Sequence, residues 1–365
     1  MQDLKIKIYK SFDSTLKKEW DEFEINSENY CFQNFYWLNN WYDKYKINQL
    51  IKPFVIIVYK NEKVISILPF VIHKLKFIRI LKWMGGEQSD YMGGLFSKKF
   101  DLEKKEFIFL WKMIKKELPY FDIFHFYNQP EQIGNIENPF IKYLDSVKTG
   151  YSSGVKIENN FENYIQNNLK KKFLSDTKRS FSHLASKGNL KFKIYNKKNI
   201  KEKKDFIEKI LEQKILRLRH LKIKNNFTEN IKKFYTEFNN DLFKYGYLHL
   251  SSLELDGKIL ASHWGIVYKD VFYYLLPSIT KNDLMKFSPG RLLLYNLIKW
   301  GYENKIKKFD LTLGEESYKK EWTNSKINLS EFYGPKSLIG YPISFFFLIK
   351  LKIKNILKNI LRIRN

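Results

Sequence analysis

The stretch Phe309-Asp310-Leu311-Thr312-Leu313-Gly314-Glu315-Glu316-Ser317-Tyr318-Lys319-Lys320-Glu321-Trp322 decides how this chain is read. A short apolar, β-branched run ends at a glycine. It passes at once into a polar turn with two carboxylates, a phenol and an amine. A buried strand delivers functional groups to its C-terminal edge in this way, where α/β proteins place ligands. Upstream, Phe287-Ser288-Pro289-Gly290-Arg291-Leu292-Leu293-Leu294 reads as a helix start with exposed amides. Together the two segments predict an anion pocket beside a reactive strand end.

Outward from that point the chain echoes itself. Phe54 to Tyr59 predicts a strand, Lys60 to Lys63 a turn, and Val64 to Val71 the return strand. Leu248 to Leu255, Asp256-Gly257 and Lys258 to Val267 repeat that pattern. The first hairpin is followed by an amphipathic helix over 102–118 and a strand at Phe121-Asp122. The second is followed by a further strand (271–276), a helix over 289–303 and the strand at Phe309-Asp310. Lys63 to Phe121 spans 58 residues and Lys258 to Phe309 spans 51. The reading is a mixed α/β fold in two tandem copies. The expected domains are 1–150 and 151–340, with a basic amphipathic tail over 341–365. The first boundary is set by Gly150, Ser152, Ser153 and Gly154, which interrupt the periodicity. The second copy is expected to open with helical stretches over 161–187, 201–221 and 228–245.

The 365 residues carry a net charge of +26, yet only seven of the basic residues are arginine. Lysine, asparagine and isoleucine rise together, as an AT-rich genome produces. The surplus still favours anionic partners: nucleotides, acyl carriers, RNA or anionic lipid. Scarce arginine argues against bidentate reading of bases. One cysteine, Cys31, excludes an internal disulfide and a cysteine metal cluster. The opening residues read as a strand, not a signal peptide, and no uncharged run approaches a membrane span. The expected location is cytoplasmic, with peripheral contact at the inner membrane face.

Gln88-Ser89-Asp90-Tyr91, Lys170 to Leu190, Ser288-Pro289-Gly290, Phe309-Asp310, Gly314-Glu315 and Tyr318-Lys319 occur in an order that resembles the tandem acyltransferases of the GNAT superfamily. The branch is that of CelD-type cellulose-biosynthesis proteins and the BioF2-like acetyltransferase domain. The same doubled fold occurs in Fem-type peptidoglycan aminoacyltransferases. The resemblance runs from Trp20 to about Pro335. It implies two tandem GNAT-like units and an acyl-CoA co-substrate held between splayed strands, here 271–277 and 309–313. The usual glycine-spaced phosphate loop is replaced by Ser288, Pro289, Gly290 and Arg291.

Within that frame each candidate has two readings. Ser288 suits an N-cap, and Gly290 leaves first-turn amides open to a phosphate with Arg291 nearby, or the segment is a plain helix start. Tyr318 is placed where GNAT enzymes carry a tyrosine that protonates the departing thiolate, or it packs on Trp322 four residues on. Asp310 is a general base or a structural anchor. Glu315 is the preferred acceptor of the incoming nucleophile's proton, with Glu316 close behind. Lys319 contacts a phosphate or pairs with Glu315. His263 shares a strand face with Ala261 and Gly265, whose small side chains leave room for a ligand, or it is a core histidine. Asp90 and Tyr91, among four glycines, are expected to form a flexible acceptor-binding loop. No histidine pair has metal-ligand spacing, and no metal is expected. Three functions follow from these readings. One is acyl transfer from acyl-CoA to an amine or hydroxyl, with a cell-envelope sugar or polysaccharide precursor as acceptor. The others are tRNA-dependent aminoacyl transfer and non-catalytic binding of RNA or membrane. The tail, with Lys350, Lys352, Lys354, Lys358, Arg362 and Arg364 among apolar residues, is expected to lie on an anionic membrane face.

Overall fold

The computed structural model describes residues 3–46, 51–195, 200–220, 222, 226–314 and 316–363. The chain forms two compact units, Met1–Tyr151 with Ile327–Asn365, and Ser152–Lys326. The last segment rejoins the first unit because the strand at Ser325–Pro335 pairs antiparallel with Ile123–Pro130.

In chain order the first unit contributes β1 (Leu4–Tyr9), α1 (Ser14–Glu24), β2 (Ser27–Glu28), α2 (Phe35–Tyr45), β3 (Ile51–Lys60), β4 (Lys63–Leu75), β5 (Ile78–Trp83), β6 (Leu95–Ser97), α3 (Lys104–Glu117), β7 (Ile123–Pro130), β8 (Gln132–Ile133), β9 (Ile136–Glu137) and α4 (Pro139–Tyr143). β10 (Val147–Lys156) leads out of it. Then come α5 (Phe161–Asn168), α6 (Lys171–Ala185), β11 (Leu190–Tyr195), α7 (Ile200–His220), α8 (Glu229–Thr236), β12 (Gly246–Leu255), β13 (Lys258–Tyr268), β14 (Val271–Ile279), α9 (Pro289–Glu303), β15 (Lys308–Leu313) and α10 (Ser317–Lys320). β16 (Ser325–Pro335) and α11 (Gly340–Ile363) complete the chain.

The first unit's sheet runs β1-β3-β4-β5-β7-β16. Its pairs are antiparallel except β5 with β7, which are parallel over Ile80↔Ile123 and Leu81↔Phe124. A parallel neighbour needs a crossover, and α3 supplies it. Asp13 caps α1 by accepting the Leu16 N–H at 2.9 Å, and Asn34 caps α2 by accepting from Tyr36 at 2.9 Å. The core is aromatic: Phe70 stacks on Trp83 at 4.4 Å, and Trp83 meets Phe126 at 5.0 Å.

The second unit's sheet runs β10-β15-β14-β13-β12-β11. Again one pair is parallel, β14 with β15, and a helix, α9, bridges it. The two units therefore share one plan, an antiparallel meander followed by a helical crossover to a parallel strand. Leu292, Leu293, Leu297 and Ile298 of α9 are fully buried, and Phe309 stacks on Phe272 at 4.5 Å beneath them.

Several expected elements differ. The helix expected over 161–187 is two helices, because Leu169 turns into the core with extended backbone. The one over 228–245 stops at Thr236, where Asn239 and Asn240 bond the backbone of Asp241 and Leu248 instead. The units divide at Tyr151–Ser152, inside the glycine-serine segment, and that segment is strand β10 rather than a break in regular structure. Gly154 lets it approach β15, since a Cβ there would lie 3.0 Å from the Phe309 carbonyl oxygen. Among the described residues no helix is long and apolar enough to cross a membrane.

Phe309→Ala removes a fully buried ring at the parallel pair. It is expected to cost about 3–5 kcal/mol, read from urea denaturation followed by circular dichroism.

Candidate functional site

β14 and β15 pair over three positions only, Val271↔Lys308, Phe272↔Phe309 and Tyr273↔Asp310. Beyond them β14 stays with β13 as far as Ala261↔Ile279. β15 stays with β10 as far as Ser152↔Leu313. The two strands thus part at their C-terminal ends, and the edge of β14 from Leu275 onward is left without a ladder to β15. The parting has a local cause. Thr312 takes a left-handed backbone, φ +57°, which a β-branched residue adopts at a cost. Asp310, fully buried, holds it there: Oδ1 accepts the Thr312 N–H at 2.8 Å and Oδ2 accepts from Lys308 Nζ at 2.9 Å.

The expected site residues fall into three groups. Tyr318, Lys319 and Glu316 gather at the end of β15. Lys319 is 4% exposed. Its ammonium donates to the Leu313 carbonyl and lies 3.0 Å from Glu316 Oε2. Tyr318 is 41% exposed. Partial burial and the Glu316 charge hold its phenol proton above the ordinary range. It does not stack on Trp322, because α10 ends at Lys320; Trp322 packs on Phe173 at 5.0 Å instead. Glu315 lies outside the described residues.

The second group sits at the start of α9. Ser288 takes the N-cap position with left-handed backbone but makes no side-chain cap bond. Gly290 packs on β14, where a Cβ would come within 2.7 Å of Ile279 Cδ1. Arg291 does not face a phosphate at this helix start. Its guanidinium reaches back to Ser180 Oγ at 2.9 Å and the Asp176 carbonyl at 3.3 Å, and lies over the Phe173 ring. It fastens α6 to α9.

The third group is internal. His263 is fully buried, and the room beside Gly265 is filled by its own imidazole, since a Cβ on Gly265 would sit 2.3 Å from His263 Cε1. The ring stacks on Tyr274 at 4.4 Å. Burial, then the neighbouring His249 and Lys214, hold it neutral. In the first unit Tyr91 is fully buried against Tyr30 and Phe32, and its carbonyl accepts from Gln33. The segment with Asp90 is packed, not an open loop, because neighbouring groups fill the space beside its glycines; a Cβ on Gly86 would meet Trp41, and one on Gly94 would meet Leu68 and the Ile67 carbonyl.

Sequence reasoning missed Lys214. It comes from α7, which is pinned over β14 by Gln213 bonding Ser262 Oγ at 3.1 Å and Thr280 Oγ1 at 2.8 Å. Lys214 Nζ donates to the Pro277 carbonyl at 3.3 Å, on the freed part of β14. Burial, then Arg217, pull its pKa down, and Glu316 opposes them. One ammonium therefore stands on each wall of the parting, Lys214 on Pro277 and Lys319 on Leu313. The only signal in the sequence was a lysine on an amphipathic helix, which is ordinarily solvated. Among the described residues no group of three or more metal-ligating side chains could hold a metal ion.

The first unit closes the equivalent space. Trp83 at the end of β5 donates Nε1–H to Gln129 Oε1 on β7 at 3.1 Å, and its ring sits between Phe70 and Phe126. A bulky side chain spans the gap that the second unit keeps between strands.

Residues 171–320 match the sequence profile of the acetyltransferase (GNAT) domain. The second unit is a GNAT acyltransferase domain. Across the chain the fold is similar to that of FemX, at TM-score 0.56 and 12% identity over 89% of this chain and 96% of that one. It is also similar to a conserved protein of unknown function from Bacteroides thetaiotaomicron VPI-5482, at TM-score 0.54 and 12% identity over 91% and 100%. At that identity the likeness speaks for the fold. No curated protein sequence matches the chain.

The GNAT domain holds two imidazoles without hydrogen-bond partners among the described residues, His249 and His263. Burial lowers the His249 pKa to about 4 from 6.5. The folded state therefore binds its proton later than the unfolded chain does. Stability is full above pH 6.5 and falls as pH drops toward 4, by up to about 3 kcal/mol from His249. His249→Phe, against Phe272 and Trp300, is expected to flatten that fall in urea titrations at pH 7 and pH 4.5.

Proposed function

We propose that the GNAT domain transfers an acyl group from acyl-CoA to an amine or hydroxyl, with a cell-envelope sugar or polysaccharide precursor as acceptor. The parting of β14 and β15 carries the reading. A pantetheine arm is an extended chain with amides, and it adds to the freed edge of β14 as a strand adds to a sheet. Lys319 and Lys214 each donate to one wall carbonyl, and an ammonium has further protons to give. They face the place where negative charge develops on the thioester oxygen. Tyr318, held protonated, supplies the proton that the departing thiolate takes. Glu316 accepts the proton of the attacking amine or hydroxyl, with Glu315 beside it in sequence sharing that role. Asp310 keeps the strand end shaped, and His263, neutral and internal, supports Tyr274.

For the donor's phosphates the fit is narrower. Gly290 offers backbone at the first turn of α9, but the Ser288 N–H is donated to the Met285 carbonyl at 2.9 Å and Arg291 is engaged with α6. The exposed Lys281 and Lys286, in the segment between β14 and α9, supply the charge that Arg291 does not. The reading also includes contact of the tail, 341–365, with an anionic membrane surface, on the cytoplasmic side.

A second donor, aminoacyl-tRNA, is favoured by one observation: Lys171, Lys172 and Lys178 are exposed on α6. The two donors separate cleanly. Acetyl-CoA or a longer acyl-CoA is expected to raise the melting temperature of the full chain. Steeply salt-dependent tRNA binding without any shift from acyl-CoA overturns the CoA assignment in favour of tRNA. Lys319→Met is expected to lower kcat about 10²–10³-fold while the acyl-CoA shift persists. Tyr318→Phe is expected to lower kcat with little change in KM, measured by release of free thiol.

A further inference from the structure

α11 is apolar on two opposite faces. One face is packed into the first unit: Ser344 and Leu351 are buried, and Phe347 stacks on Tyr333 at 5.3 Å. The other is open. Tyr341, Phe345, Ile349, Ile353 and Leu357 recur every fourth residue and are all exposed. Lys350 and Lys354 border that open stripe on one side and Lys352 on the other, and all three are exposed. Side chains of residues 358–365, including Lys358, Arg362 and Arg364, lie outside the described residues. A helix of this kind suits the boundary between lipid headgroups and acyl chains, where apolar groups enter and lysines stay at the surface.

A second feature adjoins the helix start. The β4–β5 hairpin turns at Lys76-Phe77, and Phe77 is 78% exposed. Beside it a cleft of about 580 Å³ is lined by Lys74, Lys76, Arg79, Tyr120, Asp122 and Ile339. Ile339 immediately precedes α11, and with Leu338 it is exposed. The place is built, not incidental. Asp122 accepts the Arg79 N–H at 2.8 Å, the Tyr120 hydroxyl at 2.7 Å and the Ser337 hydroxyl at 2.9 Å. Ser337 Oγ in turn accepts the Gly340 N–H that begins α11, at 3.0 Å. One carboxylate thus ties the hairpin to the helix start. Three donors occupy it, while Lys74, Lys76 and Arg79 form no ion pair among the described residues. The cleft keeps a net positive charge, and exposed apolar residues (Leu75, Phe77 and Ile339) stand around it.

We propose that this cleft binds the phosphate-bearing headgroup of an anionic lipid, with Phe77 and the open face of α11 entering the same bilayer leaflet. The proposal rests on the membrane contact read for the tail and names the site and the lipid class. Cations at the cleft, an aromatic at its rim and a lysine-bordered apolar helix beside it match an anionic bilayer better than a second protein.

The test is co-sedimentation of the full chain with vesicles of phosphatidylcholine alone, or of phosphatidylcholine with a minority of phosphatidylglycerol. Binding is expected only with phosphatidylglycerol, weakening as salt rises. Lys74→Glu, Lys76→Glu and Arg79→Glu together should weaken it about a hundredfold. Phe77→Ser should weaken it at unchanged salt dependence. All four positions are exposed, and unchanged circular dichroism verifies that the variants fold. If the wild-type chain ignores both vesicles, or binds RNA and not vesicles, the membrane reading itself fails. If the wild type binds and the cleft variants bind equally well, the headgroup site fails while the tail contact stands. A dimer that buries the α11 face in the absence of lipid also overturns the proposal.

Discussion

Between β14 and β15 the hydrogen-bond ladder ends at Tyr273 and Asp310. Two strands that have begun to pair normally continue, because each further pair satisfies backbone groups that would otherwise need water. Beyond that point Thr312 takes a left-handed backbone fixed by the buried Asp310, and its hydroxyl rather than its backbone reaches β14, donating to the Tyr274 carbonyl at 3.4 Å. Each separated strand keeps its other neighbour, β13 or β10, so neither is loosened by the parting. The gap therefore belongs to a rigid frame. The GNAT domain's candidate chemistry is arranged around its rim.

The contrast between the units shows what such a gap requires. Both build an antiparallel meander, a crossover helix and a parallel strand. In the first unit the parallel pair covers two positions, and Trp83 with Gln129 then bridges the strands. In the second, the equivalent region carries two ammonium groups on carbonyls. A ring filling the space stabilises its unit by burying apolar surface. Charges placed there do not, since burial lowers the pKa of Lys214. Where the first unit places a tryptophan, the second keeps a buried lysine, Lys319, and a partly buried one, Lys214.

Much of the fold was legible because the signals were periodic. The hairpins, the helix over 289–303 and the strand at 309–313 follow from alternation, a turn pair and a proline-led helix start. β5, β11 and β16 were harder: they are short or lysine-rich, and β16 lies on a stretch without strict alternation. The candidate site was legible at α10 and β15, where the polar turn follows the strand directly in the chain. Lys214 was not, because 63 residues separate it from the carbonyl it touches.

The sequence by itself determined the repeated α/β plan, the polar strand exit at residues 314–319 and the basic, apolar tail. Those depend on local order along the chain, which periodicity and turn chemistry express. The splaying of 271–277 from 309–313 is expected from the resemblance; only the tertiary structure decided that the pairing ends after three positions, that Arg291 serves α6, and that Tyr91 is core. It also decided that Arg79, on the hairpin that carries Lys74 and Lys76, is tied to the start of α11 through Asp122 and Ser337. Each of these is a matter of which distant group fills or faces a given space. Hydrogen bonds and packing across the fold settle that, and residue spacing does not record it.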